Sequence, residues 1–230
     1  IRYAKRGRLR FTSHRDFARA FERAVRRAHV PIAFSSGYSP HPKISYANAS
    51  PTGAATEAEY LEIGLTSECD PDTVRADLDA SLPPGLDVLE VVVAGQGSLA
   101  DRLEASEWSI ELRGVDVGPA SRAVDAFLAA DAVEVERMTK KGLRTFDARA
   151  DVVALEAVAG EERDHPCAIL KVVIRHDTPS VRPDDVLAGL RSCGGLQIEQ
   201  TPVATRSAQG PLDLSTGMVG DPLASDRDAS

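Results

Sequence analysis

The sequence predicts an α+β protein made of two tandem βαββαβ units with antiparallel sheets. Three observations lead there. Strand-like and helix-like segments succeed one another in the same order twice, over residues 1–94 and 107–206. The strand-like segments are short and rich in β-branched residues, with Gly and Pro turns between them. The clearest helix-like segments open on a capping side chain or on a proline in the first turn. Length and composition agree: 230 residues, 43% hydrophobic and 27% charged, suit one large or two small globular domains.

In the first pass, residues 2–11 (RYAKRGRLRF) alternate and predict a strand with a turn at Gly7. Ser13 is placed as an N-cap with Asp16 three residues on, an aspartate version of the capping box. A helix over 14–29 follows, ended by Pro31. IAFS at 32–35 opens a second strand, and SGYSPHP is a loop. KISYANA and AEYLEIGLT read as strands separated by SPTGAATE. Asp70-Pro71 starts a helix that runs to about Ser81, with Asp as the cap and Pro in the first turn. PPG breaks it, and LDVLEVVVA is the last strand of the pass.

Residues 95–106 form a linker with room for one helical turn. EWSIELRG then reads as a strand, and Pro119–Ala130 as a helix with Ala120, Ala123, Val124, Phe127 and Leu128 on one side. AVEVERMT, KKGLRTFDA and VVALEAVA follow as a strand, a turn and a further extended segment. CAILKVVIRH is a buried strand, RPDDVLAGLRS a helix with Pro183 in its first turn, and LQIEQTPVAT a closing strand. Residues 207–230 are rich in Gly, Ser, Asp and Pro and are expected to be disordered. Each pass has the order of a ferredoxin-like unit. A single α+β domain with one larger antiparallel sheet is the other arrangement these segments allow.

Several function classes drop out. No run of 18 apolar residues exists to span a membrane, and no secretory h-region opens the chain. The first residue is not Met, so native residues are expected before Ile1. Cys69, Cys167 and Cys193 are far apart and odd in number, which fits reduced thiols in a cytoplasmic protein. His14, His29, His41, His165 and His176 make no HExxH or similar spacing, so neither a metal nor a cofactor is expected.

Charge is the informative feature. Residues 1–43 hold eleven Lys and Arg against two acids, a net +9, while the whole chain is at −8. The remaining 187 residues therefore carry −17. Such polarisation points to an anionic partner for the N-terminal segment. All four tyrosines, Tyr3, Tyr38, Tyr46 and Tyr60, lie in the first 60 residues, and basic side chains interleaved with aromatics suit single-stranded nucleic acid. The ordinary alternative is a solvated helix face, or pairing with the acidic remainder.

At 100° per residue, Phe17, Phe21, Ala24, Val25 and Ala28 fall in one arc of the 14–29 helix. Arg15, Arg19, Arg23, Arg26 and Arg27 fall in the opposite arc. Like charges at i,i+4 repel by a few tenths of a kcal/mol per pair, so the stripe exceeds what solubility needs. Arg6, Arg8 and Arg10 add charge just before the helix. In the loop beyond it, Gly37 permits an unusual backbone angle, and two prolines flank His41 and limit loop entropy. Tyr38, His41 and Lys43 can line a phosphate site, and a histidine there can in principle do acid–base chemistry. No catalytic residue is assigned. His41, Lys43 and His14 are the candidates, His14 the poorer one because a helix N-terminus disfavours its charged form. In the second pass Lys140, Lys141, Arg144 and Arg149 surround Phe146 near a hairpin, as a second anion contact or an ordinary solvated turn. His176-Asp177 forms no triad, since no nucleophile elbow accompanies it. The Asp and Arg residues around it are expected to fasten the strand-to-helix connection.

The run RYAKRGRLRFTSHRDFARAFERAVRRAHVPIAFSSGYSPHPKISYANASPTGAATEAEYLEIGL, continued by SLADRLEASEW, KGLRTFDAR and TPSVRPDDVL, resembles the bacterial radical SAM-associated (radical SAM-linked) protein family over about residues 1–205. The resemblance implies a radical SAM protein as partner, fused or encoded alongside. It implies no activity for this chain, which lacks the CxxxCxxC that would hold the iron–sulfur cluster. The first half also looks like the duplicated ferredoxin-like fold of RAMP endoribonucleases, a likeness of element order and basic-loop placement only. The expected function is a non-catalytic accessory module that binds or presents RNA. The alternatives are a protein-interaction subunit docking the radical SAM enzyme, and a metal-independent RAMP-like endoribonuclease.

Overall fold

Strand β1 is Arg2–Lys5, shorter than its alternation implies. At Gly7 the chain takes φ +53° and winds into a 3₁₀ turn through Phe11 instead of continuing extended. Tertiary ties favour the turn: the Arg6 N–H donates to the Gly85 carbonyl at 2.8 Å, and the Arg6 guanidinium reaches Asp87 at 2.7 Å. The computed structural model describes residues 1–139, 142–160 and 165–227. It divides the chain into two units, residues 1–103 with those from 221 on, and residues 104–220.

In the first unit, helix α1 spans His14–Arg27. Ser13 caps it: its Oγ accepts the Asp16 N–H at 3.2 Å and donates to the Asp16 carboxylate at 2.6 Å. Ser13→Ala is expected to lower the stability of this unit by about 1 kcal/mol, read as a shifted midpoint in urea denaturation. The helix ends at Ala28, with His29 in the left-handed region at φ +54° and Pro31 soon after. Strands β2 (Ile44–Ala47) and β3 (Ala55–Ile63), helix α2 (Pro71–Ser81) and strand β4 (Leu86–Glu90) follow. Asp70 caps α2, accepting the Thr73 hydroxyl at 2.7 Å and its N–H at 2.9 Å, and these bonds hold its carboxyl below the usual range. The sheet order is β4-β1-β3-β2, with each neighbouring pair antiparallel.

The second strand expected at IAFS is reduced to two isolated bridges, Ile32↔Leu65 and Phe34↔Pro42. Pro31, Pro40 and Pro42 cannot donate to a ladder, so pairing there cannot propagate.

Helix α1 packs Phe17, Phe21, Ala24 and Val25 against Tyr3, Leu61, Val74, Leu78, Leu86 and Val88. The Tyr3 and Phe17 rings stack at 4.3 Å between centroids. Tyr60, next to Leu61 and so on the other face of β3, joins Ala47, Ala58, Leu99, Leu103 and Leu223 in a second cluster. Lys5 and Glu59 are buried with partners. The Ser50 N–H donates to both Glu59 carboxylate oxygens, at 3.2 and 3.3 Å. The expected linker holds a 3₁₀ turn at Ala100–Arg102.

The expected disordered tail is structured through Arg227, in two parts. Residues 207–210 finish a strand of the second unit, and a short hairpin pairs Leu212–Asp213 with Met218–Val219. Residues 221–227 fold onto the first unit, where Leu223 is buried, Arg102 pairs with Asp226 at 2.9 Å and Arg227 bonds to Glu90 and Asp221. Mean composition hides these few anchoring residues.

The second unit contains β5 (Ala105–Arg113), α3 (Val117–Ala129), β6 (Glu134–Thr139), β7 (Gly142–Asp147), β8 (Val152–Ala159), β9 (Cys167–Arg175), α4 (Pro183–Gly194) and β10 (Val203–Gly210). Its sheet order is β10-β5-β9-β8, again antiparallel throughout. Among the described residues β6 and β7 pair only with each other, as a hairpin between α3 and β8. The closing strand starts at Val203, after Leu196–Thr201 runs without strand pairing. Helices α3 and α4 approach closely: a Cβ on Gly194 would stand 2.5 Å from the Ala123 Cα, and one on Gly189 would stand 2.6 Å from the Phe127 ring. Buried Asp185 accepts the Arg182 N–H at 2.8 Å and pairs with Arg137 at 2.6 Å, so this connection is fastened as expected. The chain is thus α+β, with antiparallel strand pairing within each unit. Among the described residues no helix is long and apolar enough to cross a membrane.

Candidate functional site

An α-helix rises 1.5 Å per residue, so residues four apart stand one above another at about 6 Å. The inward phenylalanines of α1 therefore turn Arg15, Arg19 and Arg23 outward in a single row about 12 Å long. All three are exposed, and among the described residues none has an ion-pair or hydrogen-bond partner. The other two arginines of the stripe are engaged. Arg26 lies 3.7 Å from Glu22, and Arg27 donates to the Ser81 carbonyl at 3.1 Å.

The arginines before the helix also divide. Arg6 is clamped between Glu57 and Asp87, and its hydrogen bond to Glu57, more than any other contact, raises its pKa above the ordinary value. Arg8 is exposed. Arg10 holds its guanidinium over the Phe11 ring at 4.7 Å, and Phe11 is 59% exposed. The Gly53 N–H donates to the Arg10 carbonyl at 2.8 Å, and the Phe11 ring lies above Gly53. The loop that Glu59 anchors through Ser50 thus supports Phe11 from below.

Beyond α1 the loop is stapled. The Ser35 N–H donates to the His41 carbonyl at 2.9 Å, and the His41 N–H donates to Ser35 Oγ at 3.1 Å. Ser35 Oγ also lies 2.9 Å from His41 Nδ1. A hydroxyl donates once and accepts twice, so Ser35 Oγ can hold both the His41 N–H and the ring nitrogen. The two contacts anchor the exposed His41 ring to the loop it stands in. Lys43 is exposed at the loop's base, bonded through its backbone to Ala33 and Gly64. Tyr38 is fully exposed and Phe34 is 52% exposed.

His14 lies elsewhere, its ring edge-on to Tyr46 at 4.9 Å. Neither His14 nor His41 has a carboxylate hydrogen-bond partner among the described residues, so no acid–base pair is assembled around them. Of the four tyrosines only Tyr38 faces solvent. Tyr3 and Tyr60 are core residues, and Tyr46 is half-buried, its phenol pushed up to about 12 by burial and then by the Glu22 charge. The exposed aromatics that sequence reasoning passed over are Phe11 and Phe34. Phe11 lies outside the apolar arc of α1, and Phe34 stands at the mouth of a proline-rich loop; those were the available signals.

In the second unit Arg144 is exposed on β7, while Lys140 and Lys141 lie outside the described residues. Arg137 stacks on Phe146 at 4.8 Å, and Arg149 donates to the Val152 carbonyl at 3.1 Å. His176 Nε2 is 3.0 Å from Ser106 Oγ. Among the described residues no group of three His, Cys, Asp or Glu could hold a metal ion. A cavity of about 770 Å³ opens in the first unit beside Val74, Val91 and Leu223, and none of the sequence-predicted residues lines it.

What these features define is an α+β protein with an arginine-striped helix and a stapled, aromatic-bearing loop. The chain belongs to a family of uncharacterized proteins conserved in bacteria, DUF2344, which it matches over residues 1–183. No curated protein matches it.

Proposed function

We propose that the first unit binds RNA through α1 and the loop after it, as a non-catalytic accessory module. One observation carries the reading. In a chain of net charge −8, three exposed guanidinium groups stand unpartnered among the described residues on successive turns of one helix. Their spacing of about 6 Å is comparable to that of successive phosphates along an extended single strand. Arg8, Lys43 and His41 extend the set of candidate contacts. The His41 staple supports a contact role, since it holds the exposed ring in a fixed place in the loop.

The βαββαβ order in each unit, with strand order 4-1-3-2, supports a tandem ferredoxin-like fold in which β6–β7 is an addition to the second unit. The resemblance of the sequence to radical SAM-linked proteins supports a radical SAM enzyme as the protein partner, with the RNA held for it. Arg144 on the hairpin is a candidate further contact.

The test is a fluorescence-anisotropy titration of a labelled single-stranded RNA 12-mer between 50 and 300 mM KCl. Three phosphates neutralised on a single strand give a log–log salt slope of about −2, and further contacts steepen it. Absent binding, or binding indifferent to salt, overturns the proposal.

A further inference from the structure

We infer that the nucleic acid taken by this surface is single-stranded, with unpaired bases stacked on Phe11, Phe34 and Tyr38. This rests on the RNA-binding reading above and narrows its ligand. The first unit has eight Phe and Tyr residues. Tyr3, Phe17, Phe21 and Tyr60 are buried, and Tyr46 packs on His14 and Phe17. Phe11, Phe34 and Tyr38 remain, exposed to 59%, 52% and essentially all of their surface.

In sequence these three flank the arginine row. Phe11 precedes the first residue of α1 by three positions, and Phe34 follows the last by seven. Phe11 and Phe34 are fixed platforms. The Phe11 ring has Gly53 beside it and the Arg10 guanidinium over one face, and the Phe34 backbone bridges to Pro42 at the root of the stapled loop. Tyr38 follows Gly37, whose φ of +128° turns the loop tip. Aromatic faces beside a cationic track bind single strands, because every unpaired base offers a π-face while its phosphates meet the cations. In duplex RNA the bases are already stacked and the major groove is too deep and narrow for side chains to read. A duplex can use the arginines but leaves the aromatic rings idle.

The experiment uses the full chain at 100 mM KCl with three probes: a single-stranded RNA 12-mer, a blunt duplex containing it, and poly-glutamate of matched charge. Single-stranded RNA is expected to bind at least ten-fold tighter than the duplex. Phe11→Leu, Phe34→Leu and Tyr38→Leu keep apolar bulk at exposed positions and remove the ring. Each is expected to weaken single-strand binding roughly 5- to 150-fold, with duplex affinity and salt slope unchanged and the circular-dichroism melt as in the parent. Equal, salt-sensitive affinity for both RNAs, or leucine variants that bind like the parent, overturns the single-strand inference and leaves the RNA-binding proposal standing. Binding to neither RNA overturns both. So does preferential binding of poly-glutamate, which would mark the surface as a dock for an acidic protein.

Discussion

Replacing Arg15, Arg19 and Arg23 together by Gln is expected to weaken single-stranded RNA binding about 50-fold at 0.15 M salt and to flatten the log–log salt slope by about 2. Both figures come from one calculation. Three phosphate contacts at about 0.7 each give the slope, and that slope acting from 1 M down to 0.15 M gives the affinity. The substitution touches nothing that holds the fold, because all three side chains are exposed and unpartnered among the described residues. Relieving like-charge repulsion at i,i+4 adds a few tenths of a kcal/mol per pair to helix stability. Anisotropy titrations at four salt concentrations, with a thermal melt as control, measure both effects. An unchanged slope would mean that these arginines do not meet phosphates.

Phe17→Ala is expected to have the opposite signature. Its ring is buried, stacks on Tyr3 at 4.3 Å and meets Phe21 at 5.8 Å. Truncating such a residue costs about 3–5 kcal/mol, against a total of about 5–15 kcal/mol for an ordinary domain. A large fall in the urea midpoint and partial loss of far-UV ellipticity at 37 °C are the expected readings. A midpoint within 1 M urea of the parent would show that α1 is not seated through this residue. Phe11, six residues earlier in the same arginine-rich run, is expected to matter for binding and hardly for stability.

That contrast shows what was legible in the sequence. Periodicity separated the two faces of α1 correctly, because helical geometry fixes which residues share a face once the cap at Ser13 sets the start. Caps and prolines likewise located α2 and α4 closely. Strand identity was harder. RYAKRGRLRF alternates through Phe11, yet a positive φ at Gly7 and the ties of Arg6 to Gly85, Glu57 and Asp87 turn its second half into a 3₁₀ turn. Those partners lie 51–81 residues away, beyond any local pattern. The same limit hid the division among the arginines. Charge counting treats Arg6 and Arg15 alike, but only tertiary contacts reveal that Arg6 is held by two carboxylates. The tail misled for a related reason: Leu223 and Asp226 find their partners at Leu99 and Arg102, more than 120 residues back.

The β6–β7 hairpin has a consequence for how this chain can change over generations. Its two ends meet where the Ala148 N–H donates to the Val133 carbonyl at 2.8 Å. An insertion or deletion within the arm therefore moves no residue pair in the β10-β5-β9-β8 ladder, whereas a single residue gained inside β5 or β9 would flip side chains from one face of that sheet to the other. The cross-strand pair Met138 and Leu143 is exposed, while Val135 is buried and Arg137 ties the arm to Asp185. The outer end of the arm is a cassette: beyond the Arg137–Arg144 pair it can lengthen, shorten or be rewritten while the frame that carries it stays in register.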